Sequence, residues 1–201
     1  MSDDAPQILD RKTAYDGFFR VGLYRIRHRL HGGGWSAELS REVVERRPAV
    51  GLLLYDPRRD AVVLIEQFRL PAHVAGFSAQ QLEIVAGLVD DGREAESAVA
   101  RREAQEEAGV TVDGELVPMH RFLTSQGGTS EAVTLFCGRV DASRAGGIHG
   151  LAAEHVDIKV VVKSYAEAMR LLREGAIENA TTLLALYWLA AHRAELRKRW
   201  K

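Results

Sequence analysis

The chain has 201 residues, of which 46% are hydrophobic and 27% charged, so it can bury one core of good size. Its 27 Lys and Arg balance 28 Asp and Glu, and a formal net charge of -1 gives no general attraction for nucleic acid. The single cysteine, Cys137, argues against an internal disulfide, and the acidic start and short apolar runs argue against a signal peptide or a membrane span. We expect a cytoplasmic protein without nucleic-acid or membrane partners.

Loosely alternating apolar residues from 18 to 45, with three glycines at 32–34, predict a long β-hairpin ahead of the main domain. We therefore divide the chain into an N-terminal β extension, residues 1–47, and a main domain, residues 48–201. An isolated hairpin is only marginally stable. We expect this extension to pack on a second copy of the chain in a homodimer.

The main domain begins with two apolar strands, at residues 49–54 and 61–68, around a turn that contains Asp56-Pro57. A further short strand is predicted at residues 81–86. Residues 87–93 follow as a loop.

Strong helix formers without Gly or Pro then predict a helix over residues 94–107, and Gly109 marks its end. A stripe of alanines at 100, 104 and 108 would let this helix lie close to a sheet. Later apolar segments predict three more strands, at residues 116–123, 132–140 and 157–163. Two helices close the chain, one beginning at Ser164 and the other at about Asn179. Strands mixed with helices predict an α/β sandwich.

Three carboxylates share one face of the predicted helix, because Glu103, Glu106 and Glu107 stand at i, i+3 and i+4. On an exposed face they would repel each other by only ~0.2–0.5 kcal/mol per pair and would need no ligand. Partial burial strengthens the repulsion and makes a divalent cation its natural remedy. Oxygen ligands favour Mg²⁺, with Mn²⁺ as the alternative, and both ions also accept oxygens from substrate phosphates.

The segment from Gly87 to Val110 resembles the Nudix box, in which Gly, five residues, Glu and seven residues precede Arg-Glu-apolar-x-Glu-Glu-x-Gly-apolar. Residues 102–110, REAQEEAGV, match the second half at every position. Six residues instead of five separate Gly87 from Glu94, which we interpret as one extra loop residue.

The resemblance implies a role for each acid of this helix. Glu103 and Glu107 are implied as the main metal ligands, with Glu106 assisting in ligation and in catalysis. The Ala86 carbonyl completes the implied site. Arg102 is implied as a partner that orients a glutamate, with a phosphate contact as the alternative.

Further segments resemble the ADP-ribose pyrophosphatase branch of the Nudix family, from about residue 45 to residue 200. They are Glu66-Gln67-Phe68-Arg69, Leu82-Glu83-Ile84-Val85-Ala86-Gly87, Gly127-Gly128-Thr129-Ser130-Glu131, and Gly150-Leu151 with Asp157-Ile158. The resemblance implies substrate binding by Arg69, Glu83 and Arg46, with the adjacent Arg47 as the alternative to Arg46. A guanidinium offers the planar pair of donors that phosphate oxygens accept.

Two loops supply the remaining implied site residues. Gly128 and Glu131 are implied to meet the substrate, with Glu131 accepting hydrogen bonds from ribose hydroxyls across the dimer. Glu154 lies where the family has a general base for the attacking water. Val156 replaces an acid that often binds a further metal ion, so the number of ions stays open.

The fold that the resemblance implies is α/β: a Nudix α/β/α sandwich with a mixed sheet and an N-terminal β-hairpin extension. The implied reaction is Mg²⁺-dependent hydrolysis of a nucleoside diphosphate sugar, foremost ADP-ribose to AMP and ribose 5-phosphate. The alternatives are a GDP-mannose or NADH pyrophosphohydrolase and a Nudix-fold sensor that binds ADP-ribose without cleaving it.

Overall fold

The computed structural model describes residues 5–90, 94–150 and 157–201. These residues form two units. The first consists of the described residues through Arg47 together with Leu123–Ala132, and the second of Pro48–Phe122 and Val133–Lys201. Within the described ranges, no helix is both long and apolar enough to span a membrane.

The first unit is built on a three-stranded antiparallel sheet of β1 (Gln7–Asp16), β2 (Arg20–Arg27) and β3 (Leu39–Glu45), in that spatial order. The predicted hairpin is confirmed by the pairing of β2 with β3. Strand β1 was not predicted, because nearly all of its residues are exposed and it therefore lacks apolar alternation. Backbone pairing with β2 holds it in the sheet.

The second unit contains most of a mixed sheet, whose described strands run in the order β10-β11-β5-β4-β9-β8. The short strands β6 and β7 pair with β5 and β4 respectively, and β4 pairs in parallel with β9. The strands are β4 (Ala49–Asp56), β5 (Ala61–Phe68), β6 (Gln80–Glu83), β7 (Val85–Leu88), β8 (Asp113–Leu123), β9 (Ala132–Arg139), β10 (Ile148–His149) and β11 (Ile158–Ser164).

Helices cover both faces of this sheet. They are α1 (Leu70–Val74), α2 (Glu96–Ala108), α3 (Tyr165–Arg173) and α4 (Ala180–Arg199). Successive residues of β4 point to opposite faces, so Leu52 and Leu54 join the core beneath α2, whereas Leu53 and Tyr55 join the core beneath α3 and α4. The small side chains predicted for α2 are fully buried against the sheet. The predicted α/β/α sandwich with a mixed sheet is confirmed.

The single strand predicted at residues 81–86 is wrong, because the chain changes partner in its middle. Strand β6 pairs with β5, and β7 pairs with β4. Ile84 lies between them and is buried. A continuous apolar pattern does not show this change, since it is the neighbouring strands that determine the pairing.

Helix ends follow the predicted signals more closely. Helix α2 ends where Gly109 adopts the left-handed conformation, with φ 62°. Ser164 caps α3 through its hydroxyl, which accepts the Glu167 N–H. Asn179 caps α4 in the same way by accepting the Thr182 N–H. Helix α1 was not predicted, and its five residues are too few to give a periodic pattern.

Candidate active site

Two of the helix carboxylates lie against strand β7. Glu107 Oε2 accepts a hydrogen bond from the Ala86 N–H at 3.1 Å. The Glu103 carboxylate lies so close to Gly87 that a Cβ atom there would collide with it. Glycine at position 87 therefore leaves room for the Glu103 carboxylate beside the backbone of β7.

Burial leaves these two carboxylates with an electrostatic cost. It raises the pKa of Glu107 to about 7, against the lowering effect of the Ala86 N–H, and repulsion from Glu103 raises it further. Burial also raises the pKa of Glu103, although the Arg102 guanidinium opposes this. A cation between α2 and β7 would relieve both effects.

Arg102 contacts three acids, Glu103 and Glu106 on α2 and Glu94 before the helix. Its Nη1 lies 2.9 Å from Glu103 Oε1 and 2.9 Å from Glu106 Oε2, and its Nε lies 3.5 Å from Glu94 Oε2. The Glu106 side chain is 43% exposed, against 14% for Glu103. Arg102 therefore contacts three of the acids, whereas Glu107 lies on the inner side with a backbone N–H as its donor.

Arg69 and Glu83 lie together at the ends of β5 and β6. Arg69 Nη2 donates to Glu83 Oε2 at 2.7 Å and Arg69 Nε donates to Glu83 Oε1 at 3.0 Å. Gln67, which is buried, donates to the same carboxylate at 3.2 Å. Sequence reasoning assigned no role to Gln67, although an amide inside the apolar run of β5 was a usable signal.

The first unit brings together two other predicted residues. Arg46 lies 2.8 Å from Glu131 Oε1 and also stacks on the Phe19 ring, 4.7 Å from its centroid. The Gly128 carbonyl accepts the Val44 N–H at 2.9 Å, which ties the loop to β3. Both side chains of the ion pair are mostly buried, so Arg46 and Glu131 hold each other in a defined position.

The predicted general base, Glu154, and the substituted position, Val156, lie outside the described residues. Arg47 is described and forms an interaction of its own. The choice between Arg46 and Arg47 as a phosphate ligand stays a prediction.

The donor set at α2 and β7 suits a hard divalent cation. Glu107 Oε2 accepts the Ala86 N–H, and no described residue donates a hydrogen bond to the other carboxylate oxygen, Glu107 Oε1. Across residues 5–90, 94–150 and 157–201, no three Asp, Glu, His or Cys side chains are grouped closely enough to hold an ion alone. Such a donor set fits Mg²⁺, which keeps several waters and binds through one or two carboxylates plus substrate phosphates.

Comparison with known proteins shows similarity to one family over most of the chain. A NUDIX domain model matches residues 45–180. The ADP-ribose pyrophosphatase of Escherichia coli (strain K12) is 48% identical over 194 residues, which cover 96% of this chain and 92% of that protein. The GDP-mannose pyrophosphatase of Pectobacterium atrosepticum is 32% identical over 180 residues, 89% of this chain and 91% of that protein. The crystal structure of an ADP compounds hydrolase matches in fold, with a TM-score of 0.72, 20% identity and coverage of 98% and 99%.

Proposed function

The chain belongs to the NUDIX family, and on that premise we propose that it hydrolyses the pyrophosphate bond of ADP-ribose, giving AMP and ribose 5-phosphate. The observation that carries the proposal is the packing of Glu103 and Glu107 against β7. There, two half-buried carboxylates lack a full set of partners. The similarity to an ADP-ribose pyrophosphatase over nearly the whole chain supports the choice of substrate.

In the proposed reaction, the oxygen of a water molecule forms a bond to one phosphorus, and the bond from that phosphorus to the bridging oxygen breaks. Glu103 and Glu107 would hold Mg²⁺, or Mn²⁺ in its place, with assistance from Glu106 and the Ala86 carbonyl. When bound, the metal neutralises charge that develops on the phosphate oxygens. Arg102 orients Glu103 through the contact between their side chains.

The remaining roles fall on residues that contact the substrate. Arg69 binds a phosphate oxygen, and Glu83 holds its guanidinium in place while it does so. Arg46, with Arg47 as the alternative, binds the diphosphate, and Glu131 accepts hydrogen bonds from the ribose hydroxyls across the proposed dimer, with Gly128 in its loop. Glu154 removes the proton from the attacking water. A Glu154→Gln variant is expected to keep its metal affinity and lose most of its kcat.

A substrate screen tests the proposal. Purified protein is incubated with Mg²⁺ and with ADP-ribose, GDP-mannose or NADH, and the products are identified by mass. The highest kcat/KM is expected for ADP-ribose. GDP-mannose is the main competitor, because a relative named for that substrate is 32% identical. Binding of ADP-ribose without release of AMP would instead identify a sensor.

We also propose a homodimer formed through the first unit. Strand β1 and the turn that follows it expose large apolar side chains, with Ile8 62%, Tyr15 60% and Phe18 89% exposed. Apolar surface of this kind is typical of interfaces. Light scattering coupled to size-exclusion chromatography is expected to give twice the chain mass of 22.2 kDa, and a monomer at micromolar concentration would contradict the proposal.

A further inference from the structure

The crossing from β6 to β7 creates a local problem in hydrogen bonding. Up to Glu83 the chain pairs with β5, and from Val85 it pairs with β4, so Ile84 belongs to neither strand. Ile84 is only 1% exposed. A backbone N–H buried in this way needs a partner. The Thr182 hydroxyl of α4 supplies one, accepting the Ile84 N–H at 3.0 Å.

The start of α4 contacts this crossing at two further points. Asn179 Nδ2 donates to the Leu82 carbonyl at 2.9 Å, while its Oδ1 caps the helix. Gln81 Nε2 donates to Glu178 Oε2 at 2.7 Å. Thr182 itself is fully buried. Two hydrogen bonds to its backbone and one to the Gln81 side chain therefore fix the crossing to the start of α4, which lies across the sheet from α2.

Residues on either side of the crossing belong to the candidate active site. Glu83, just before Ile84, holds the Arg69 guanidinium. Ala86, two residues after Ile84, donates its N–H to Glu107. A shift at the crossing would move both contacts together, because Glu83 is bonded directly to Ile84 and Ala86 is only two residues further along the chain.

We propose that Thr182 and Asn179 are positioning residues, which fix the crossing from β6 to β7 and thereby hold Glu83 and Ala86 in place for the hydrolytic site. Neither side chain contacts the acids of α2; both act through the backbone of residues 82–84. The effect on hydrolysis rests on the proposed function. The effect on the position of Glu83 and Ala86 does not.

Two substitutions isolate these hydrogen bonds. Thr182→Val replaces the hydroxyl with a methyl group of similar size and leaves the buried Ile84 N–H without an acceptor. Asn179→Asp keeps the oxygen that caps α4 and removes the donor to Leu82, so it tests the same idea if Thr182→Val folds poorly. Thr182→Ser keeps the hydroxyl that accepts the Ile84 N–H, so this variant should behave like the wild type in both measurements below.

Two controls separate positioning from a general loss of stability. Thr181→Val makes the same chemical change one residue earlier, at a side chain that accepts no hydrogen bond from the crossing. Leu189→Val removes a methylene from a fully buried residue further along α4 and lowers stability without touching the crossing.

The first measurement is the Mg²⁺ concentration at half-maximal ADP-ribose hydrolysis, well below the Tm of each variant. Thr182→Val and Asn179→Asp are expected to raise it about tenfold, as for loss of a supporting contact to a metal site. Thr182→Ser, Thr181→Val and Leu189→Val should stay within about twofold of wild type. An unchanged value for Thr182→Val in an active enzyme would overturn the proposal.

The second measurement needs no catalysis. Amide hydrogen exchange at Ala86 is expected to be about tenfold faster in Thr182→Val than in Leu189→Val at equal unfolding free energy. Equal protection of Ala86 in the two variants would overturn the proposal whatever the enzyme assay gives. If the wild type does not hydrolyse ADP-ribose, the proposed function fails and this exchange measurement still tests the positioning.

Discussion

The second unit contains two clusters around acidic residues, one at Asp60 and one on α2. They differ in how far other groups of the chain neutralise the acids. Asp60, in the turn between β4 and β5, accepts hydrogen bonds from Arg193 Nε at 2.6 Å and from the Tyr55 hydroxyl at 2.7 Å. The hydrogen bond from Arg193 lowers the pKa of Asp60, although burial acts to raise it. Glu107 on α2 has one backbone donor, and burial raises its pKa to about 7.

We interpret this difference as one between a structural cluster and a candidate functional one. The charge of Asp60 is matched within the chain, so the cluster is complete as it stands and joins α4 to the turn. The charges of Glu103 and Glu107 are matched only in part, so we expect a bound cation to stabilise this region of the fold. Acids with raised pKa values in an incomplete cluster are typical of active sites.

The largest expected effect is that of Glu107→Gln. The change keeps the side-chain shape and removes the charge, so we expect kcat/KM for ADP-ribose to fall on the order of 10²–10³-fold. Without metal, the same change removes a poorly compensated buried charge, and the Tm is expected to rise by about 2–4 °C. Steady-state kinetics and thermal unfolding in chelator measure the two effects.

Glu106→Gln is the matched control for that prediction. It makes the same change one residue earlier on a side chain that is 43% exposed and paired with Arg102. We expect about tenfold loss or less, and no gain in Tm. Equal losses of activity in the two variants would remove the distinction between inner and outer acids of α2.

The next largest effect is expected for Arg69→Lys, which keeps the positive charge near Glu107 and loses the planar pair of donors. We expect KM for ADP-ribose to rise about 10–30-fold with a smaller change in kcat, because the contact that we propose for Arg69 is to bound phosphate. Arg101→Lys is the control, since Arg101 donates to backbone carbonyls after α2 and not to Glu83. A KM unchanged by Arg69→Lys would contradict the role of Arg69.

The sequence predicts the position of the acids along α2 better than it predicts their environments. The spacing of Glu103 and Glu107 places them on one helix face, and Gly109 gives the end of that helix correctly. Spacing does not show which acid meets β7, because that depends on how closely the helix approaches Gly87. Nor does it show that Arg69 meets Glu83, since the two lie on separate strands.

In the fold too, elements set by the local sequence are predicted, whereas elements set by contacts with distant parts of the chain are not. The continuous apolar runs of β4 and β5 predict both strands within two residues. Strand β1 is exposed and charged, so only its pairing with β2 makes it a strand. The break at Ile84 follows from two neighbouring strands and the Thr182 hydroxyl, which lies 98 residues further along the chain.

A third prediction tests directly whether the α2 cluster is completed by a cation. Mg²⁺ at about ten times its Kd should stabilise the wild type by about 1.4 kcal/mol, through binding to the folded state alone. Glu107→Gln should lose this gain, whereas Asp60→Asn should keep it. Thermal unfolding of all three proteins with Mg²⁺ and with chelator provides the measurement, and a gain that survives in Glu107→Gln would place the ion elsewhere.

The smallest expected effect, Asp60→Asn, tests the completed cluster. Asparagine fits the left-handed backbone at this position, φ 53°, and keeps an acceptor for Tyr55, but it removes the charge and the second oxygen that accepts from Arg193. We expect the free energy of unfolding at pH 7 to fall by about 1 kcal/mol while activity is retained. Because the pKa of Asp60 is lower in the folded state, its contribution is present above about pH 4 and disappears as the pH falls through the folded value.

The gap in Tm between wild type and Asp60→Asn should therefore close as the pH falls below about 4. An exposed acid provides the control: Asp113→Asn, at a side chain that is 54% exposed, should change the Tm little at any pH. A gap that persists at low pH would mean that the turn depends on the shape of Asp60 and not on its charge. The contrast with Glu107 would then concern packing, because Asp60 would no longer represent an acid stabilised by neutralisation within the chain.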